Sequence, residues 1–329
     1  MIYYVDVFTC LLQKGRIYMT KMTDFTFLST DGKTTLHGIS WLPEDREIVA
    51  VLQIAHGVAE YIGRYDGFAR FLNEQGIAVF GHDHLGHGLS LSENDVPVYF
   101  GKGNTWNTVV DDMYRLHLRI KEQFPDTPLF IMGHSMGSFL TRTYLIRYSG
   151  TVRGAIIMGT GWQNEATIAA GLLIAKTIAR TRGENVTSDF VTNLAFGAYN
   201  RIFAPVRTDY DWLSADTDNV DRYIADPLCK QDPTVGLFRE MLCGFRFNQN
   251  ASHLQMMDKK CPLLLISGKD DPVGSMGKGV QQTYDAFRAS GIEDVTLQLY
   301  DGLRHEILNE AAQKDTVRAD IYAWLKRYI

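Results

Sequence analysis

The stretch that most constrains this chain is Pro128-Leu129-Phe130-Ile131-Met132-Gly133-His134-Ser135-Met136-Gly137-Ser138. Its first half is a short apolar run of the kind that makes a fully buried strand. It then reads Gly133-x-Ser135-x-Gly137 and continues as Phe139-Leu140-Thr141-Arg142-Thr143-Tyr144-Leu145-Ile146, with helical periodicity. Strand, tight turn and helix in that order force Ser135 into a strained backbone conformation. The glycines on either side remove the side chains that would collide there. The serine oxygen is then expected to stand clear of the sheet, with the Met136 amide at a helix N-terminus facing any developing oxyanion. An ordinary Gly/Ser turn has the same five-residue pattern, so the reading depends on partners elsewhere.

The chain around it alternates strand and helix patterns. Phe25 to Leu28 and Thr34 to Trp41 flank Asp31-Gly32 as a hairpin. Strands are predicted at 48–54, 77–80, 129–132, 154–158, 262–267 and 295–300, and helices at 68–74, 111–123, 280–289 and 311–328. That order implies a mainly parallel sheet covered by helices on both faces, an α/β fold. Residues 160–258 show no convincing strand and contain an apolar helix over Ala166 to Ala179. They read as a helical cap inserted between two strands of one sheet, so 22–159 and 259–329 are expected to form the core. Residues 1–21 are a leader of uncertain structure. The apolar run Met1 to Leu12 is interrupted by Asp6, and its basic residues Lys14 and Arg16 follow it, which is the reverse of a secretory signal. Three readings stand for this leader: an added element, a membrane-contacting tail, or sequence upstream of a start at Met19 or Met22. The last is favoured.

A serine nucleophile needs a base to take its proton and a carboxylate to orient that base. In this strand order the acid and then the histidine follow the serine. The strand ending at Ser267 runs into Gly268-Lys269-Asp270-Asp271, which offers two acids. The strand ending at Tyr300 runs into Asp301-Gly302-Leu303-Arg304-His305, and His305 is the only histidine after His253. The second oxyanion donor is expected from the loop after an earlier strand, His56-Gly57-Val58, with the Val58 amide as donor.

His82-Asp83-His84-Leu85-Gly86-His87 has a spacing that invites a metal. Dinuclear metallohydrolases usually carry an aspartate where this chain has Gly86, and no acidic partners are evident downstream. The loop therefore reads as a backbone-bonding turn, and no metal or cofactor is expected.

Taken together, the chain resembles the α/β-hydrolases of the monoacylglycerol lipase and lysophospholipase (serine aminopeptidase-like) group. The match rests on His56-Gly57-Val58-Ala59-Glu60 with Arg64-Tyr65, on Asp83-His84-Leu85-Gly86-His87-Gly88-Leu89-Ser90, on Gly133-His134-Ser135-Met136-Gly137, and on Gly268-Lys269-Asp270-Asp271 with His305. The resemblance implies that Asp271 is the catalytic acid and that the histidines at 82–87 belong to a metal-free family loop. Ala59 and Ser138 depart from frequent family glycines. The resemblance also implies a serine ester hydrolase acting through an acyl-enzyme on monoacylglycerol or lysophospholipid, with a broad short-chain carboxylesterase as the alternative. A non-catalytic hydrolase-like binding protein is the alternative of another class. Leu172, Leu173, Ile174 and Ile178 make the cap helix a candidate for contact with a membrane or micelle.

A net charge of −5 without a lysine and arginine block disfavours nucleic acid. The scattered Cys10, Cys229, Cys243 and Cys261 suit a reducing, cytoplasmic setting.

Overall fold

The computed structural model describes residues 19–91 and 95–329, together with the backbone of 12–13 and 16–17. Strands β1 (Leu12–Gln13) and β2 (Arg16–Ile17) form a small antiparallel pair. The rest of the leader lies outside the described residues, except at its end. There Thr20 and Lys21 belong to the next strand and pair with Pro43 and Leu42, so the sheet begins ahead of the expected boundary at residue 22.

That strand is β3 (Thr20–Leu28), followed by β4 (Thr35–Pro43), β5 (Ala50–Ala55), β6 (Ile77–His82), β7 (Leu129–His134), β8 (Gly154–Met158), β9 (Leu263–Gly268) and β10 (Val295–Tyr300). They form one eight-stranded sheet in the order β10-β9-β8-β7-β5-β6-β4-β3. The pairs from β10 to β6 are parallel, and the β6/β4 and β4/β3 pairs are antiparallel. The helices are α1 (Asp66–Asn73), α2 (Trp106–Gln123), α3 (Met136–Arg147), α4 (Glu165–Arg182), α5 (Asp189–Ala195), α6 (Gly197–Arg201), α7 (Thr217–Ala225), α8 (Val235–Asn248), α9 (Ala251–Leu254), α10 (Lys278–Ala289) and α11 (Lys314–Leu325). This is the α/β-hydrolase fold.

Alternation along the central strands divides the core in two. Ala50, Leu52 and Ile54 of β5 pack with Phe68 and Leu72 of α1 and with Ile321 and Trp324 of α11. Val51 and Ala55 face the other way, toward Met113 and Leu116 of α2, Phe139 of α3 and Phe287 of α10. All six residues of β5, β6, β7 and β9 are buried, which explains why they read as continuous apolar runs and not as alternating ones.

Helices α4 to α9 come from the segment between the neighbouring strands β8 and β9. One of them is bonded firmly to the layer below. Asn248 at the end of α8 donates to the Phe139 carbonyl (2.8 Å) and accepts from the Thr143 hydroxyl (2.8 Å). Phe245 packs against Phe139 with ring centroids 4.2 Å apart and planes tilted by 46°. Within the described residues no helix is long and apolar enough to cross a membrane.

Candidate active site

The parallel strands deliver their C-terminal ends to one edge of the sheet, where loops carry the candidate residues. At the end of β7 the chain reverses on Ser135, whose φ of 53° and ψ of −123° are unusual for a residue with a side chain. The flanking glycines are required by close approach. A Cβ on Gly133 would lie 2.1 Å from the Gly137 carbonyl oxygen, and one on Gly137 would lie 2.1 Å from that of Ala55. The turn is held by neighbours. Ser135 N–H donates to the Met158 carbonyl at the end of β8 (3.0 Å), and the Ser138 hydroxyl donates to the Ser135 carbonyl (2.6 Å). Ser138, one of the two departures from the family pattern, thus braces the elbow.

Of the two acids after β9, the structure sets Asp271 against the histidine. His305 Nδ1 lies 2.9 Å from Asp271 Oδ2, and Asp271 is fully buried. The carboxylate also accepts from the Ser267 hydroxyl (3.1 Å) and from Val273 N–H (2.9 Å), which fixes its orientation toward the imidazole. His305 Nε2 is buried and has no hydrogen-bond partner among the described residues. Its ring sits on Trp212, centroids 5.2 Å apart, and borders one cavity together with Ser135.

The loop after β5 brings Val58 to the same place. A Cβ on Gly57 would lie 3.0 Å from the Ser135 Cβ, so Gly57 is what lets this loop approach the serine. Ala59, the other departure, takes a φ of 54°, and its carbonyl accepts from the Tyr223 hydroxyl (3.1 Å) and from Lys230 N–H (3.3 Å).

Behind these residues lies a buried polar network that sequence reasoning missed. Glu60 accepts from Gly57 N–H (2.6 Å), the Tyr65 hydroxyl (2.9 Å) and Arg64 Nη1 (2.7 Å), and stands 3.2 Å from His134 Nδ1. Arg64 also grips Glu306 through both nitrogens (2.7 and 2.8 Å) across a separation of 242 residues. Asn219 of α7 donates to Glu306 (2.7 Å), and His134 Nε2 lies 3.2 Å from the His305 carbonyl oxygen. Both ring nitrogens of His134 therefore face oxygen acceptors, an arrangement suited to the imidazolium. Burial alone would lower its pKa, but the hydrogen bond and charge of Glu60 outweigh that and hold it above the ordinary value. Burial raises Glu60, and His134 with Arg64 overcome it, so the carboxyl lies well below its usual range. Glu60, Arg64 and Tyr65 carried part of the family resemblance. For Glu306 the only local signal was a charge next to His305.

The histidine loop forms a neutral cluster. His56, His82, His84 and His87 are all buried, with the rings of His56 and His84 4.1 Å apart. His56 Nδ1 bonds the Gly57 carbonyl (2.7 Å), and its Nε2 accepts from His84 N–H (2.9 Å). Among the described residues no group of three or more acidic, cysteine or histidine side chains is arranged to hold a metal.

Two cavities meet at Ser135. One, of about 550 Å³, is apolar and bounded by Phe139, Ile174, Leu242 and Phe245. The other, of about 590 Å³, is more polar than the first, with Asn200, Arg201, Asp209, Lys230, Gln231 and Asp232 on its wall beside apolar residues such as Leu213. Val58, Ser135, Phe196 and Trp212 border both.

Residues 46–312 match the family described as serine aminopeptidase, S33. A monoacylglycerol lipase of Mycolicibacterium smegmatis is 28% identical over 93% of this chain and 98% of its own. A monoglyceride lipase of Mus musculus is 26% identical, over 85% of this chain and 83% of the relative. The crystal structure of a thermostable carboxyl esterase from Bacillus coagulans, in complex with glycerol, superposes with a TM-score of 0.87 at 26% identity. That superposition covers 93% of this chain and 98% of the esterase. The chain belongs to the serine aminopeptidase S33 family of α/β-hydrolases, and is an ester hydrolase of the monoglyceride lipase and esterase type.

Proposed function

We propose that this chain hydrolyses monoacylglycerol or lysophospholipid esters through an acyl-enzyme on Ser135. His305 acts as general base and then general acid, and Asp271 holds the imidazole and stabilises its cation. Amides of Val58 and Met136 bind the tetrahedral oxyanion, each donor contributing about two to three orders of magnitude in rate. Helices α4 to α9, residues 160–258, act as the cap that shapes substrate access. Exposed Leu173 and Phe190 on that cap would meet a membrane or micelle.

The observation that carries this reading is the pair of unlike cavities joined at Ser135. An acyl chain fits the apolar one and a polar alcohol the other, so the scissile ester falls between them. The charges also favour a neutral headgroup. Arg201 and Lys230 line the polar chamber together with two acids, Asp209 and Asp232, so these charges balance in number, and Arg64 is already engaged by Glu60 and Glu306. No surplus of cations remains there for a phosphodiester, which favours monoacylglycerol.

Replacing Ser135 by Ala is expected to lower turnover by about six orders of magnitude. It should also abolish labelling by a fluorophosphonate probe. Retention of most hydrolysis or labelling in that variant rejects Ser135 as nucleophile. An acyl-chain series of nitrophenyl esters, run beside monoacylglycerol, tests the substrate. Activity confined to the shortest chains, with none on the glyceride, rejects the lipase reading in favour of a short-chain esterase.

A further inference from the structure

A third cavity, of about 250 Å³, lies on the surface where α7 and α11 meet the segment that precedes α11. Arg222 of α7 and Lys314 and Arg318 of α11 face into it, with Asn219 and Asn309 beside them and Arg64 against its inner wall. The Arg222 and Lys314 side chains have no hydrogen bond or ion pair among the described residues. Arg318 is mostly buried, with a side-chain exposure of 16%, and its Nε is enclosed without a partner. Its Nη2 donates to the Leu308 carbonyl (3.3 Å); among the described residues its one carboxylate neighbour is Asp315, 4.0 Å away and 88% exposed, and burial lowers the guanidinium pKa despite that neighbour. Among the described residues Asp226 is the one acid lining this cavity, and it is already used by the Tyr61 hydroxyl (2.9 Å) and Leu228 N–H (2.9 Å).

Unmatched cations that converge on a concave site, one of them partly desolvated, are an arrangement an anion stabilises. Two guanidinium groups and an ammonium supply more donors than a carboxylate can accept and suit a tetrahedral dianion, while the Asn219 and Asn309 amides already donate to Glu306. We propose that this cavity binds a phosphomonoester or inorganic phosphate, and that its occupancy is relayed to the esterase site through Arg64. Arg64 borders both this cavity and the polar chamber at Ser135, and its guanidinium holds Glu306, the residue after His305. An anion in this cavity adds charge beside Arg64 without displacing its bonds to Glu60 and Glu306, and so alters the hold of Arg64 on Glu306 and on the loop that carries His305. The binding site stands on its own geometry; only the relay rests on the proposed role of His305.

Calorimetric titration of the full chain with inorganic phosphate and with glycerol 3-phosphate tests the site. Saturable binding at one site per chain is expected. In the double variant Arg222→Gln/Lys314→Gln it should weaken about tenfold or more, with an unchanged thermal unfolding transition as the folding control. Ser135→Ala should bind as the parent does, which separates this site from the catalytic reading. Co-sedimentation with phosphatidic acid or phosphatidylcholine vesicles identifies the source. Binding of phosphatidic acid alone, lost in the double variant, assigns the phosphate to a lipid headgroup. Failure of both soluble anions and the vesicles to bind, or equal binding by the double variant, overturns the site. Saturable binding of phosphate with no change in kcat or KM for a soluble ester overturns the relay.

Discussion

Ser135 carries a backbone conformation that costs on the order of 1–3 kcal/mol, so the contacts that hold it there matter as much as its hydroxyl. Glu60 is one of the side chains nearest to that task. It sits under the loop that carries Val58 and accepts the Gly57 amide, while its hydrogen bond and charge raise the pKa of His134, the residue before Ser135. It touches no reacting atom, which makes it a positioning residue. Replacing Glu60 by Gln keeps the shape and removes the charge, and puts an amide donor among groups that are themselves donors. The expected result for a soluble ester is a kcat lower by about tenfold or more with KM little changed, since a shift of Val58, the proposed oxyanion donor, would be felt in the transition state. The same substitution should return the His134 titration, followed by NMR, toward the ordinary histidine value. The sign follows from the raised pKa. His134 contributes stability that is complete below the unfolded value of 6.5 and is lost as pH rises through its higher folded value. A variant with unaltered His134 titration would remove Glu60 from this role.

Elements show where local signals suffice and where they stop. Strands β8 and β10 run over the residues that side-chain patterning indicated, β8 as a fully buried run and β10 as a half-buried edge strand, because each carries its signal in its own side chains. Helix α2 begins at Trp106, well ahead of the Asp111 read from its amphipathic pattern. The reason is tertiary: Thr105 makes no capping bond, and the Trp106 amide is instead satisfied by Glu240 of α8 (2.9 Å). Helix α11 likewise starts at Lys314 and not at Ala311, whose amide is taken by Asp216 (3.2 Å). Helix α4 was legible as an apolar helix, but which of its residues line a cavity was not. Ile174 is half-buried and borders the apolar chamber. Ile174→Trp should therefore lower kcat/KM for long-chain esters by about tenfold or more while leaving acetate esters nearly unchanged. Equal losses on short and long chains would show that α4 does not bound the acyl site.

At the scale of the whole molecule, the buried imidazoles make stability depend on acid. Burial lowers the pKa of His56 and His84, and brings His82 and His87 to about 3. These groups stay neutral in the fold and take up protons only when it opens. The unfolded chain thus binds more protons as pH falls below 6.5, and stability declines from there toward pH 3. Each fully titrating histidine contributes about 1.4 kcal/mol per pH unit. Asp112, pushed up to about 6 by burial, works in the opposite sense and offsets part of this. Urea unfolding between pH 6.5 and 4.5 should show a steep fall, and a flat profile would mean that the cluster is hydrated.

The amino-acid sequence by itself determined the parallel sheet, the serine turn and the strand ends from which Asp271 and His305 project. Those follow from side-chain periodicity and from glycines that only a sharp turn requires, and both are written within a few neighbouring residues. It left Asp270 and Asp271 equivalent until family resemblance chose between them, and the structure set Asp271 at 2.9 Å from His305. Only the tertiary structure decided the two chambers at Ser135, the contact of Arg64 with Glu306 and the cationic cavity beyond it. Such features belong to no segment. They arise when residues far apart in the chain are brought out of water together, and a buried charge must then be satisfied by whatever the fold places beside it.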